Sequence, residues 1–390
     1  MYYIKNARLT DCKASVREDI LIAEGRIRKI GKERIAAFLA NCGQEPLVIE
    51  AEGKTLLPSF ADLHFHMRYP GQPQKETLES GSKAAIRGGY THLIAMANTK
   101  PVVDSRELVE QVQRESAALN LCRLYQVSAV TKGLLGKESV DFAENRKATR
   151  FFSDDGRNID DEKIMEEALR ASAKLDFILL DHSEEETEMV IRNIEIAKKT
   201  RGNLHLCHIS KKGSMEAIIA AKKAGYSNIT VEVSPHHIYA SGLDYRVNPP
   251  IAGEEDRLFL IEAIREGYVD AIATDHAPHT AEDKENGAPG ISGIESSFSI
   301  VHKVFREQGL DMQTLSLLMS ARPMAFLGEE DRLIREGAVA DLVLIEEGEF
   351  EIRSADFLSK GKNTPFEGDK VFAKVVMTMK EGRILYDERR

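Results

Sequence analysis

The 390-residue chain is 42% hydrophobic and 30% charged, the balance of a folded protein rather than a disordered one, and long enough for one large α/β body with an appendage. Its 63 acidic and 53 basic side chains leave a net charge of −10, which argues against a general nucleic-acid binder but leaves room for a local basic pocket. No apolar run approaches a membrane span, the start MYYIKNARLTD lacks the apolar core of a signal peptide, and four scattered cysteines (Cys12, Cys42, Cys122, Cys207) without a CxxC pair fit a reduced, cytoplasmic protein.

In chain order, residues 1–54 read as short strand-like pieces divided by turns. From there, β-branched runs alternate with stretches of helical period. Strands are expected near 55–64, 90–97, 121–130, 149–153, 177–182, 203–209, 228–234 and 269–275. Helices are expected near 76–88, 104–119, 137–146, 160–174, 184–200, 211–224 and 254–266, then 294–308 and 311–320. Eight strands each followed by a helix is the pattern of a (β/α)8 barrel, with a doubly wound open sheet as the structural competitor. The segment 330–390 returns to short strands. EGRIRKI (24–30) and EGRILYD (381–387) share a hairpin-like pattern, a glycine turn leading into alternating apolar residues. Neither end alone carries enough apolar residues for a core. The simplest arrangement is one small β domain built from both termini, 1–54 and 330–390, beside a barrel of 55–329.

The polar residues fall where such a barrel carries its chemistry. With 11 histidines in the chain, an isolated HxH pair has little meaning, and position supplies it. His64 and His66 end the first expected strand, two apart and so on one face. His182 ends the fifth strand in FILLDH and His208 the sixth in NLHLCHI. Asp275 ends the eighth in VDAIATD, with His276 and His279 behind it, and FFSDDG puts Asp154 and Asp155 at the mouth of the fourth. In a barrel these ends open onto one rim, where active sites of the fold lie. Four histidines and two or three carboxylates there suit one or two borderline divalent ions, zinc first; the bland alternative is that each merely caps a strand. Arg68 in HFHMRYPG, Asn98 in MANTKP and Asn248 in RVNPPI line the same rim. A guanidinium beside amide donors suits a substrate carboxylate, against a loop salt bridge as the plainer role for Arg68. His205, three residues from His208 and on the opposite strand face by parity, reads as structural, as do His92 and His302. The same parity turns Cys207 away from His208. In SPHH, His236 or His237 either approaches the substrate or packs.

Taken together, DLHFHMRYPGQPQKETLESGSKAAIRGGYTHL, MANTKP, FFSDDG, CHISKKGS, VEVSPHH, NPPI, ATDHAPHT and LSKGKNTPFEG resemble the dihydroorotases of the long bacterial type, in the metal-dependent amidohydrolase superfamily. The motifs run in order from 62 to 368. The resemblance implies a (β/α)8 barrel with a β domain from both termini. It implies that His64, His66 and Asp275 hold one zinc ion and His182 and His208 a second, with Asp155 bridging them and Asp154 a neighbour. It makes Arg68, Asn98 and His279 holders of the substrate carboxylate and places Asn248 along the ring. The implied reaction is reversible hydrolysis of dihydroorotate to N-carbamoyl-L-aspartate, a metal-activated hydroxide attacking the ring amide while Asp275 transfers the proton. The implied assembly is a homo-oligomer, a dimer first, with aspartate transcarbamoylase as a partner to consider and neither nucleic acid nor membrane.

The sequence departs from the family pattern at Ser59 (usually glycine), Tyr69 (usually acidic) and Ala97 (usually proline), none of them a ligand. Only 26 positions separate His182 from His208, a stretch shorter than relatives usually carry, whose expected consequence is a site more open to water, a weaker second metal or a changed substrate. Two other readings compete. An allantoinase- or hydantoinase-like cyclic-amide hydrolase usually carries a carbamylated lysine where this chain has FFSDDG. A non-catalytic partner of aspartate transcarbamoylase would have lost ligands, and every one is present.

Overall fold

A computed structural model describes residues 1–389. Strands β1 (Tyr2–Thr10), β2 (Ser15–Ala23), β3 (Arg26–Ile30), β4 (Leu47–Glu50) and β5 (Lys54–Pro58) come first. The barrel follows as β6 (Phe60–Phe65), β7 (Tyr90–Ala95), β8 (Arg123–Gln126), β9 (Phe151–Phe152), β10 (Ile178–Asp181), β11 (Asn203–Leu206), β12 (Ile229–Val233) and β13 (Ala271–Ile272). Strands β14 (Leu342–Glu351), β15 (Lys370–Lys380) and β16 (Arg383–Asp387) end the chain.

β6–β8 and β9–β13 are parallel ladders, joined by bridges between Ser128 and Phe152 and between Phe65 and His276, so the eight strands close in sequence order. The interior is Phe, Leu, Ile and Val packed beneath the rim, and helices such as Leu78–Arg87 and Glu162–Leu175 bury one apolar stripe each against the outside, whereas Ile294–Gln308 is buried nearly all round, with Phe298 and Val301 in the barrel's core and Ile300 in a separate cluster. The first of these starts at a capping box, Thr77 accepting from the Ser80 backbone N–H.

The other sheet runs β16-β15-β14-β5-β1-β2-β3, with β4 on β1, and so interleaves the two ends of the chain. The period of two explains how it docks. Leu342 and Leu344 join Ile20, Ile22, Met377 and Met379 in the sheet's own core, while Val343, Ile345 and Leu57 point the other way into the barrel's core. The two Glu-Gly turns, Glu24-Gly25 and Glu381-Gly382, both hold positive φ at both residues, the tight hairpin geometry their sequences suggest. They also touch: a Cβ on Gly382 would lie 2.9 Å from the Gly25 Cα.

The fold class read from the sequence is the one observed, with local corrections. The expected strand 55–64 is two strands, β5 pairing with β14 and β6 with β7, parted at Ser59. Lys32–Cys42, expected to be strand-like, is a helix ended by Gly43 in the left-handed conformation. The helix expected at 137–146 shrinks to Phe142–Asn145, and that expected at 311–320 passes through a π-helical stretch (Leu317–Ala321) and continues to Leu327. Strand hydrogen bonds stop well before the apolar runs do, because the last residues of each run turn toward the rim. Among the described residues no helix is long and apolar enough to cross a membrane.

Candidate active site

The ten residues singled out by position and motif come together. His66, Arg68, Asn98, Asp155, His182, His208, Asn248, Asp275 and His279 line one cavity of about 250 Å³ at the C-terminal mouth of the barrel, with Gly156, Ala277, Pro289 and Gly290. His64 lies beneath it, fully buried. Arg68 (φ 56°), His208 (φ 35°) and Asp275 (φ 48°) take left-handed backbone conformations just beyond the ends of β6, β11 and β13. For non-glycine residues that costs about 1–3 kcal/mol each, strain that concentrates at functional sites. Gly71 lets the Arg68 loop press on its neighbour, since a Cβ there would meet the Lys100 carbonyl oxygen at 1.6 Å.

At the centre is the Asp155 carboxylate. Its Oδ1 is 3.1 Å from His64 Nε2, 3.4 Å from His182 Nδ1 and 3.8 Å from His208 Nε2, and its Oδ2 is 3.5 Å from His66 Nε2. Asp275 Oδ1 is 3.2 Å from His66 Nε2 and 3.6 Å from His64 Nε2. His182 Nδ1 and His208 Nε2 stand 2.9 Å apart. Burial pushes both carboxyl groups up, but the surrounding histidines, His64 and His66 for Asp155 and His66 and His64 for Asp275, hold them below the ordinary carboxylate range. Asp154 does different work: its carboxylate accepts from the backbone N–H groups of Val130 (2.8 Å) and Thr131 (3.0 Å) and from the Thr131 hydroxyl, leaving Asp155 as the acid aimed inward.

This donor set fits a divalent cation. His64 Nε2 and Asp155 Oδ1 are buried without a hydrogen-bonding partner, and the His182 nitrogen turned to them is Nδ1. The trios His64–His66–Asp275 and His64–Asp155–His208 each bring their ligand atoms within 4.8 Å of one another. Buried lone pairs converging without donors are costly unless an ion takes them up.

The support beneath the histidines was partly missed by the sequence reading. Glu232, on β12, is fully buried and accepts from both His64 Nδ1 (3.0 Å) and His205 Nε2 (3.0 Å), and His205 Nδ1 is 2.8 Å from the Thr230 hydroxyl. His205 therefore faces the barrel interior. Strand alternation does not extend to His208, because β11 ends at Leu206 and the left-handed His208 turns its ring to the same side. The Cys207 thiol also groups with His64 and Glu232. The available signal was the glutamate inside the mostly apolar strand ITVEV. Burial pushes Glu232 up, but His205 and His64 bring it down to about 2.

At the other end of the cavity sit polar groups for an anion. The Arg68 guanidinium is 3.0 Å from His279 Nε2 and donates to the Pro278 carbonyl at 3.3 Å. Burial lowers its pKa to about 10, still charged at neutrality. His279 is neutral, its pKa driven down to about 3 by burial and the charges of Arg68 and Lys75. Lys75 Nζ donates to its Nδ1 at 3.2 Å. Asn98 bridges the two ends, its Oδ1 3.1 Å from His66 Nδ1 and its Nδ2 donating to Asp155 at 3.3 Å. The C-terminal motif SKGKNTPF reaches back to fix this wall: Asn363 accepts from the His279 N–H (2.9 Å) and donates to the carbonyls of Ala277 (3.1 Å) and Gly290 (3.0 Å). His237 Nε2 donates to the Pro249 carbonyl at 3.0 Å, securing the loop of Asn248, while buried His236 leaves its Nε2 without a partner. His276 stacks on Phe65 and His302 packs beside Phe298, both away from the cavity. The shortened segment after His182 still reaches across the rim: Asn248 donates to Glu184 at 3.2 Å, and the Glu184 N–H to Asn158 at 2.7 Å.

Comparison with known proteins agrees with this geometry. The Dihydro-orotase-like family matches residues 53–225. A dihydroorotase of Clostridium botulinum (strain Eklund 17B / Type B) is 42% identical over 403 residues, covering 98% of each chain. Those of Ligilactobacillus salivarius and Bacillus cereus (strain B4264) are 35% identical, covering 98% and 99% of this chain and 98% of their own. Among solved structures, the L-hydantoinase of Arthrobacter aurescens superposes with a TM-score of 0.87 at 21% identity, over 100% of this chain and 96% of that one. The D-hydantoinase of a Thermus species gives 0.85 at 23%, with the same coverage. At such identities the structures speak for the fold alone.

Proposed function

The chain belongs to the dihydroorotase family, and on that footing we propose that it hydrolyses dihydroorotate reversibly to N-carbamoyl-L-aspartate, the cyclic-amide step of pyrimidine biosynthesis. The observation that carries the reading is a single small cavity with a buried His/Asp donor set at one end and Arg68, Asn98 and His279 at the other. Dihydroorotate has the matching pair of features, a hydrolysable ring amide and a carboxylate.

We assign zinc as the metal, as His nitrogen and carboxylate oxygen donors suit it. His64, His66 and Asp275 would hold one ion and His182 and His208 a second, with Asp155 available to both. Bound there, zinc supplies a nucleophilic water near neutral pH and a Lewis acid for the amide carbonyl. The chain's own groups do the rest. Arg68 takes the substrate carboxylate with Asn98 and His279, and Asn248 borders the ring, so the amide is held toward the donor set. One water adds across the C–N bond, oxygen to carbon and hydrogen to nitrogen. Asp275, ionised by its histidine neighbours, takes the proton from that water and delivers it to the amide nitrogen as the bond breaks. In ring closure the same oxygen removes the ureido proton.

The test is a substrate panel. The purified chain with zinc should turn over dihydroorotate and leave hydantoin and allantoin essentially untouched. Turnover of hydantoin or allantoin in preference to dihydroorotate overturns the reading.

A further inference from the structure

Beside the active-site cavity lies a second, larger one of about 660 Å³. The two share His279, and the loop that offers Asn248 to the first offers Arg246 to the second. The second cavity is strongly basic, with Arg246, Lys284, Lys360 and Lys362 facing Asp244 and Glu285. None of these six makes an ion pair within 4.0 Å among the described residues, although such pairs run from Lys5–Glu50 at one end of the chain to Arg389–Asp387 at the other. The lysines are instead tethered by backbone carbonyls: Lys284 to Arg246 (3.2 Å), Ala288 (2.8 Å) and Gly290 (3.1 Å), Lys360 to Pro73, and Lys362 to Phe357. Carbonyl tethers position a cation without neutralising it, so the cavity keeps a net positive charge. The neighbouring Lys75, by contrast, is neutralised by Asp283 at 3.1 Å.

We propose that this cavity is an antechamber that draws the dianionic open-chain substrate toward the active site, an inference that rests on the dihydroorotase reading. The chain as a whole carries a net charge of −10, while Arg68 and the metal ions assigned above attract a carboxylate once it is inside the site. At physiological salt the screening length is about 8 Å, so the charges an approaching dicarboxylate feels are those beside the entrance. There Arg246, Lys284, Lys360 and Lys362 outnumber Asp244 and Glu285. N-carbamoyl-aspartate carries two carboxylates and dihydroorotate one, so the same potential acts twice as strongly on the former.

That proportionality gives the test. Neutralising Lys360 and Lys362 together (K360Q/K362Q) should raise KM for both substrates with kcat unchanged. The fold-rise for the dianion should be the square of that for the monoanion, about threefold for one implying about ninefold for the other. Asp244→Asn and Glu285→Gln, which remove the opposing charges, should lower KM for the dianion. They guard against loop damage, because impaired folding does not improve binding. Raising salt from about 0.05 to about 0.5 M should erase both effects. Equal KM changes for the two substrates, or none, overturn the antechamber and leave the dihydroorotase reading intact. Failure of the unsubstituted, zinc-loaded chain to turn over either substrate overturns both.

Discussion

Replacing Glu232 by Gln keeps its volume and removes its charge, and it strikes the one group that supports two histidines at once. The carboxylate accepts two hydrogen bonds of 3.0 Å, from His64 and His205, in a wholly buried position. Gln offers one acceptor oxygen, so one imidazole N–H loses its partner. An unmet buried donor costs about 1–3 kcal/mol, which urea unfolding of the metal-free protein should register. The more telling effect is on zinc. The Glu232 hydrogen bond fixes which His64 nitrogen carries the proton and leaves Nε2 free toward Asp155 and Asp275. Carboxylate partners of this kind are worth about 10–100-fold in metal affinity, or about 1.4–2.7 kcal/mol. Zinc affinity, measured by competition against a chromophoric chelator, should fall by that factor. His205→Gln should produce a smaller loss, and the double variant should be sub-additive, because both act on one carboxylate. If E232Q is destabilised yet binds zinc as tightly as the parent, Glu232 is only a core residue and the argument for His64 fails.

Other expectations rest on the same geometry. Asp275→Asn should cut kcat by at least about a thousandfold, having lost both a metal donor and the proton carrier; near-normal turnover removes it from the chemistry. Arg68→Ala should raise the KM for dihydroorotate about 10- to 100-fold, and an unchanged KM refutes the carboxylate clamp. Asn363→Ala, which frees the His279 loop of three hydrogen bonds, should raise KM several-fold while leaving zinc affinity alone. The buried histidines give a pH signature. Burial lowers His236 to about 4 and His279 to about 3, and holds His92 well below its ordinary value. The unfolded chain then binds more protons than the folded one below pH about 6.5. Stability is fully present above that value and lost as pH falls toward the folded pKa values, by about 1.4 kcal/mol per pH unit for each such group. His92→Gln, remote from the cavity, should flatten that slope in urea titrations as the pH falls below about 6.5.

The residues that converge were legible because a barrel turns sequence position into place. Any polar side chain at the end of a parallel strand reaches the same rim, so His64, His182, His208 and Asp275 could be grouped before their distances were known. The choice of Asp155 over Asp154 came from family likeness; the hydrogen bonds from Val130 and Thr131 to Asp154 give its physical reason. What was not legible depended on long-range pairing or local strain. Parity cannot follow a strand past its last hydrogen bond, so His205 was turned the wrong way. Ser59 parts two strands of different sheets without any glycine to mark the break. The helix Lys32–Cys42 was hidden between strands because its one buried apolar residue, Ile35, leaves little helical stripe to read. Nor does the sequence show Glu184 meeting Asn248, since that contact spans 64 positions.

Zinc-dependent hydrolysis can be followed by the ultraviolet absorbance of dihydroorotate with the purified chain, first stripped by a chelator and then restored with zinc. Turnover should be absent from the stripped protein and recover as zinc is added back, saturating at no more than two ions per chain. Turnover that survives complete metal removal, or its absence with both sites filled, would contradict a zinc-dependent dihydroorotase.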